Sequence, residues 1–173
     1  TKTGQTYKLL QESSDTNGAL LEMEVTYAPL SLIPPDHFHP KQTEKFRILS
    51  GEMTFRIEKN ERIVKAGEEF MITPNTVHTM WNHSKDKAVV NWSIIPALQS
   101  ERFFETMTAL SNKKDTKRTL GLMQMATSLH YFSNEFRVTK PSIWIQEIIL
   151  SILSWMGRAM GYKAVHNNMQ YME

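Results

Sequence analysis

Up to about residue 98 apolar and polar residues alternate with a period of two, and beyond it the apolar positions recur with the period of a helix. The run Leu21-Glu22-Met23-Glu24-Val25-Thr26-Tyr27 alternates strictly, and Met53, Phe55 and Ile57 alternate with Thr54 and Arg56 in the same way. A strand sends successive side chains to opposite faces, so each run predicts a strand with one buried and one wet face. Asn17-Gly18, Ser50-Gly51 and Lys59-Asn60 separate such runs as turns, while Pro34-Pro35 and Pro74-Asn75 mark bends. Many short strands at regular spacing predict a mostly-β fold, a small barrel or jelly roll.

From Ser100 the pattern predicts about three helices. Phe103, Phe104, Met107 and Leu110 share one helical face, and Leu120, Met123, Ala126, Leu129 and His130 share another. The third helix begins near Pro141 and runs from Ile143 to Met156 before Gly157 and Gly161. In it Glu147, Ser151, Ser154 and Arg158 form a narrow polar stripe on an otherwise apolar cylinder, which predicts burial on most sides. Its apolar stretch is shorter than the roughly 20 residues that cross a bilayer and contains a carboxylate, which argues against a membrane span. Trp144 and Trp155 leave an interfacial anchor as the competing reading. The expected organisation is a barrel domain over residues 1–98 and a helical extension over 99–173, packed on the barrel or on a dimer partner.

Composition narrows the function classes. A chain of 173 residues can bury one full core, so a single domain with an appendage is expected. The absence of cysteine removes disulfides, thiolate nucleophiles and thiolate ligands, and a cytoplasmic location is the plain expectation. Twenty basic residues against eighteen acidic ones give a formal charge of +2, with no basic block beyond Lys113-Lys114 and Lys117-Arg118, so no nucleic-acid partner is expected. Of eleven methionines, Met123, Met125, Met156, Met160, Met169 and Met172 fall in the extension, where adaptable core filling competes with a malleable lid.

The chemistry lies in His37-Phe38-His39, Glu44 and His78. Residues two apart on a strand share a face, so the imidazoles of His37 and His39 can converge on one point. Glu44 follows the polar link Pro40-Lys41-Gln42-Thr43, and His78 comes from a different strand. Three imidazoles and one carboxylate suit one divalent transition metal ion, with Fe, Mn, Ni, Cu, Co and Zn all compatible, and leave coordination positions open. Phe46, Ile48, Phe55, Met80 and Trp92 have the parity to line the interior as a substrate pocket. His83 is expected at the surface, and His130 and His166 carry no assigned role.

Residues 37–51, HFHPKQTEKFRILSG, resemble the first cupin motif: His-x-His, four residues, Glu, six residues, Gly. Residues 67–82, GEEFMITPNTVHTMWN, resemble the second, with Gly67, His78 and Asn82 in register. Ser31 stands where the pattern has a glycine, Thr73 where it has proline and Asn75 where it has glycine. These departures concern turn geometry, and Asn is the non-glycine residue most tolerant of a left-handed turn. The resemblance covers roughly residues 19–96 and implies a double-stranded β-helix, a jelly-roll cupin barrel, with His37, His39, Glu44 and His78 as metal ligands.

Cupins include dioxygenases, isomerases, decarboxylases and sensor domains, so the fold does not fix the function. The site favours a metal-dependent enzyme, dioxygenase-like or an isomerase, acting on a small oxygenated organic molecule, with Glu44 able to detach and accept a substrate proton. The alternatives are a noncatalytic small-molecule binding or sensing cupin, and a barrel that a metal merely stiffens. Asn82 is expected to fix the nearby turn. A homodimer is expected, because the apolar third helix needs cover.

Overall fold

A computed structural model of the chain describes residues 4–112 and 118–166. Lys113, Lys114, Lys117, Met169 and Met172 lie outside the described residues. Nine strands come first: β1 (Gln5–Gln11), β2 (Leu21–Tyr27), β3 (His37–Phe38), β4 (Thr43–Ser50), β5 (Glu52–Ile57), β6 (Asn60–Lys65), β7 (Glu69–Ile72), β8 (His78–Trp81) and β9 (Ala88–Ile95). Helices α1 (Ser100–Asn112) and α2 (Arg118–Tyr131), the two-residue strand β10 (Arg137–Val138) and helix α3 (Ile143–Ala159) follow.

The strands form two five-stranded antiparallel sheets, ordered β1-β2-β9-β4-β7 and β10-β3-β8-β5-β6. Alternation places Leu21, Met23, Val25 and Tyr27 of β2, Phe46 and Ile48 of β4, Met53 and Phe55 of β5, and Val90, Trp92 and Ile94 of β9 in one core between the sheets. The residues between them are less buried, as period two requires, except Thr54 of β5, which is buried as well. Phe46 packs against Phe55 (centroids 5.2 Å apart) and Trp92 (5.4 Å), and Phe55 meets Phe70 edge to face at 4.6 Å. Such aromatic pairs add directional packing to apolar burial.

The turns follow the chemistry expected of them. Asn75 has φ +63°, the left-handed conformation that its place in the second motif requires, and its N–H donates to the His39 carbonyl at 2.9 Å. Asn82 is fully buried; its Nδ2 donates to the carbonyls of Ala28 and Asp86, and its Oδ1 accepts from the Ser84 N–H. Ser31 holds the adjoining strand end, its Oγ accepting from Asn82 N–H at 2.9 Å.

The helical segment seals the barrel. Phe104 of α1 packs on Trp92 and Tyr7, and Phe103 packs on Phe132 and Phe136, so one apolar face of α1 continues the barrel core. Gln42 fastens the start of this helix: its Nε2 donates to Pro96 O, Ala97 O and Ser100 Oγ.

Two helices turn unexpected faces inward. α2 buries Gln124, Thr127 and Ser128 with Ala126, because Gln124 and Ser128 donate to the carbonyls of Lys163 and Ala164 in the chain beyond α3. α3, expected to be buried on most sides, instead buries Gln146, Ser154 and Gly157. Ile148, Ile152, Trp144 and Trp155 of α3 are exposed. The cause is close helix approach: a Cβ at position 157 would collide with Thr127 Oγ1 of α2. Among the described residues no helix is long and apolar enough to cross a membrane.

Candidate metal centre

β3 and β8 are neighbours, with His37 directly opposite His78 in the ladder, and His39 follows β3 by one residue. Glu44 lies near the start of β4, in the other sheet, with its side chain pointing between the sheets. The ligand atoms of His37, His39 and His78 all fall within 4.8 Å of one another, and all three residues are buried. Glu44 joins from one side: Oε1 is 3.2 Å from His39 Nε2, and Oε2 is 2.8 Å from His78 Nε2. The residues chosen from the sequence pattern therefore converge at one end of the barrel.

Each imidazole is held by its other nitrogen. His37 Nδ1 faces the Pro35 carbonyl at 2.9 Å, His78 Nδ1 faces the Thr76 carbonyl at 2.9 Å, and His39 Nδ1 faces the Glu135 carbonyl at 2.5 Å. A carbonyl can only accept, so each Nδ1 carries the proton and each neutral ring presents an Nε2 lone pair to the common point. The Nε2 atoms of His39 and His78 and both Glu44 oxygens are buried without an aligned hydrogen-bond partner, despite the short separations between them. Buried polar atoms left this way are costly. A divalent cation satisfies all of them at once, so these residues fit a metal ion.

The electrostatics agree. Burial lowers the His37 pKa to about 3, and the neighbouring His78 and His39 push in the same direction. Burial likewise lowers His39. Glu44 would be raised by burial, but His39 and the contact with His78 pull it down to about 2. His78 moves up, because the Glu44 carboxylate more than offsets its burial. His37 and His39 are thus held neutral beside an ionised Glu44, the states metal ligation uses, whereas metal-free His78 keeps a proton more readily and gives it up on ligation.

Two features of the surroundings carry no local sequence signal. Phe136, between α2 and β10, stacks on His37 with centroids 4.7 Å apart, and β10 pairs with β3, setting Arg137 opposite Phe38 and Val138 opposite His37. Inside the barrel Tyr27 Oη and Trp92 Nε1 are buried without hydrogen-bond partners. The residues expected to line a pocket, Phe46, Ile48, Phe55, Met80 and Trp92, are all buried core residues. His83 is exposed. His130 lies beside Phe136 in the lining of a cavity of about 140 Å³ between α2, β10 and α3, outside the barrel.

Residues 23–94 match the family model of the cupin domain. These residues are a cupin domain. An oxidoreductase of Arthrobotrys oligospora is 37% identical over 60 residues, covering 32% of this chain and 24% of that protein. The chain thus spans about a quarter of that relative's length. Among solved structures, a Thermotoga maritima protein described as a predicted oxalate decarboxylase superposes with a TM-score of 0.50 at 22% identity, covering 53% of this chain and 80% of the other. A Klebsiella pneumoniae protein with a double-stranded β-helix domain gives 0.49 at 16% identity, covering 57% and 82%. The likeness at a TM-score of 0.50 and 22% identity speaks to the fold alone, and the chemistry has to be argued from the site.

Proposed function

We propose that the cupin domain holds one divalent transition metal ion through His37, His39, Glu44 and His78 and acts as a metal-dependent oxidoreductase, dioxygenase-like, or as an isomerase, on a small oxygenated organic molecule. The observation that carries this reading is the set of three converging histidines tied by Nδ1 to carbonyls, with the Nε2 atoms of His39 and His78 against the buried Glu44 carboxylate. An ion bound there supplies Lewis acidity and free coordination positions.

The remaining parts belong to this chain's own side chains. Phe46, Ile48, Phe55, Met80 and Trp92, all buried, form the apolar wall behind the ligands. Trp92 Nε1 and Tyr27 Oη, unpaired inside that wall, supply donors for substrate oxygens. Burial raises the Tyr27 pKa well above its ordinary value, so it stays a neutral phenol and keeps its proton to donate. Glu44, ionised at neutral pH, is the group that accepts a substrate proton.

The test is oxygen uptake and product analysis by metal-loaded protein with a panel of phenols, diketones and hydroxy-ketones. Uptake or isomerisation that the Glu44→Gln variant loses supports the enzyme. A fully loaded protein that turns over no member of the panel sinks it. One observation favours the noncatalytic alternative, a binding or sensing cupin: Phe136 stacks on His37, and Phe103 stacks in turn on Phe136, so that His37 is covered on that side. Ligand binding to the loaded protein without conversion is its signature.

The proposal includes a homodimer. The outward side of α3 carries Trp144, Ile148, Ile152 and Trp155 in a self-complementary apolar strip, and a second copy of this helix is the partner that covers it.

A further inference from the structure

The three histidines differ in where their Nδ1 partners come from. His37 and His78 use carbonyls two residues earlier in the chain, Pro35 and Thr76. His39 uses the Glu135 carbonyl, 96 residues away and outside the cupin domain. Gln42 of the flanking turn also approaches the His39 ring, and the partner of the His39 Nδ1 is the Glu135 carbonyl. The same stretch of chain supplies Phe136, stacked on His37 at 4.7 Å and edge-on to His39 at 6.0 Å, and β10, which extends the sheet beside His37.

α3 fastens this stretch. Gln146, buried in its first turns, donates through Nε2 to the carbonyls of Val138 and Pro141. Arg137 pairs with Glu147 at 2.6 Å and donates to the Ser133 carbonyl at 2.8 Å. Thr139 N–H donates to the Asp36 carbonyl at 3.1 Å, one residue before His37. A chain of direct contacts therefore runs from Gln146 through β10 to both His37 and His39.

We propose that residues 135–138 are a working part of the metal centre: the Glu135 carbonyl holds His39 in the tautomer that presents Nε2, Phe136 fixes the imidazole planes, and Gln146 is the positioning residue that keeps both in place. Metal-ligating histidines are oriented by the group their second nitrogen donates to, and loss of such a group costs about 10- to 100-fold in metal affinity. The statement about affinity rests on the metal reading given above. The statement about the His39 tautomer does not, which separates the two in experiment.

The test uses the full chain and three variants: Gln146→Leu, Phe136→Ala, and Phe132→Leu as a control that loosens the same aromatic cluster away from the histidines. Long-range ¹H–¹⁵N spectra of metal-free protein read the tautomer of each imidazole, and competition of Co²⁺ against a chelator reads affinity. The wild type is expected to show His39 protonated at Nδ1 alone. Gln146→Leu and Phe136→Ala are expected to show mixed tautomers and about tenfold weaker Co²⁺ binding, whereas Phe132→Leu lowers the melting temperature and leaves both readings in place. Unchanged tautomer and affinity in Gln146→Leu overturn the proposal even if Phe136→Ala fails to fold, as does an equal loss in Phe132→Leu. A wild type that binds no Co²⁺ overturns the metal reading and the affinity statement together, and the imidazole spectra then decide the rest.

Discussion

His37 and His78 are cross-strand partners: they face each other in the β3–β8 ladder with ring centroids 4.5 Å apart. The convergence of the ligands is therefore a property of strand register. A slip of one residue would turn His37 to the opposite face of its sheet and dissolve the site. Glu44, from the facing sheet, approaches both His78 and His39, so the centre also stitches the two sheets together.

Replacing Glu44 with Gln keeps the shape and removes the charge. His78 owes its raised pKa to that carboxylate, with burial acting against it, so in Glu44→Gln its titration is expected below the ordinary 6.5. A ¹H–¹⁵N titration of metal-free protein checks this, and a His78 midpoint at or above the wild-type value contradicts it. Metal affinity is expected to fall by about tenfold or more in the same variant.

Acid is expected to weaken the metal-free protein in two stages. The folded-state pKa of His37 is depressed from 6.5 to about 3, so its contribution is complete above 6.5 and is lost as pH falls from 6.5 towards 3, where the unfolded chain binds the proton first. Glu44 is depressed from 4.5 to about 2, so its contribution disappears between 4.5 and 2. His78, with a raised pKa, has the opposite sign: its contribution is complete below 6.5 and fades at higher pH. Urea midpoints across pH 3–8 check the account, and a midpoint that rises on going from pH 6 to pH 4 contradicts it.

Gly51, at the end of the first motif, has φ +73°, and a Cβ there would lie 2.6 Å from the Lys87 carbonyl oxygen. Both the left-handed backbone and the contact with fixed backbone oppose a side chain. Gly51→Ala is expected to cost about 2 kcal/mol or more. Thermal unfolding beside Gly18→Ala, which has open space around its Cβ, separates the clash from the φ effect.

The outward strip of α3 makes a concentration-dependent prediction. Sedimentation at micromolar protein should give a dimer that Trp155→Glu converts to monomer, since a charge at a buried apolar contact is strongly unfavourable. A wild-type monomer at that concentration contradicts the dimer.

The barrel and its four converging residues were legible because their signals are local. Alternation over Leu21–Tyr27 reports a half-buried strand, and the spacing of His37, His39 and Glu44 reports one strand, a turn and the next. What escaped lies in contacts that leave no side-chain signature. The Glu135 carbonyl is backbone, β10 is two residues long, and Gln42 looks like a turn residue although its partners sit at Pro96, Ala97 and Ser100. The apolarity of α3 suggested burial, yet Gly157 and the polar Gln146 and Ser154 are its buried positions. There the missing side chain allows close approach to α2, while Gln146 meets backbone carbonyls that an apolar side chain would leave unpaired.

The most direct test of the metal centre is elemental analysis of protein purified without chelator, beside the His39→Ala variant. We expect near-stoichiometric Fe, Mn, Ni, Cu, Co or Zn in the wild type and loss of that metal in the variant. A wild type that stays metal-free after reconstitution, or a His39→Ala protein that binds as tightly, contradicts a centre built on His37, His39, Glu44 and His78.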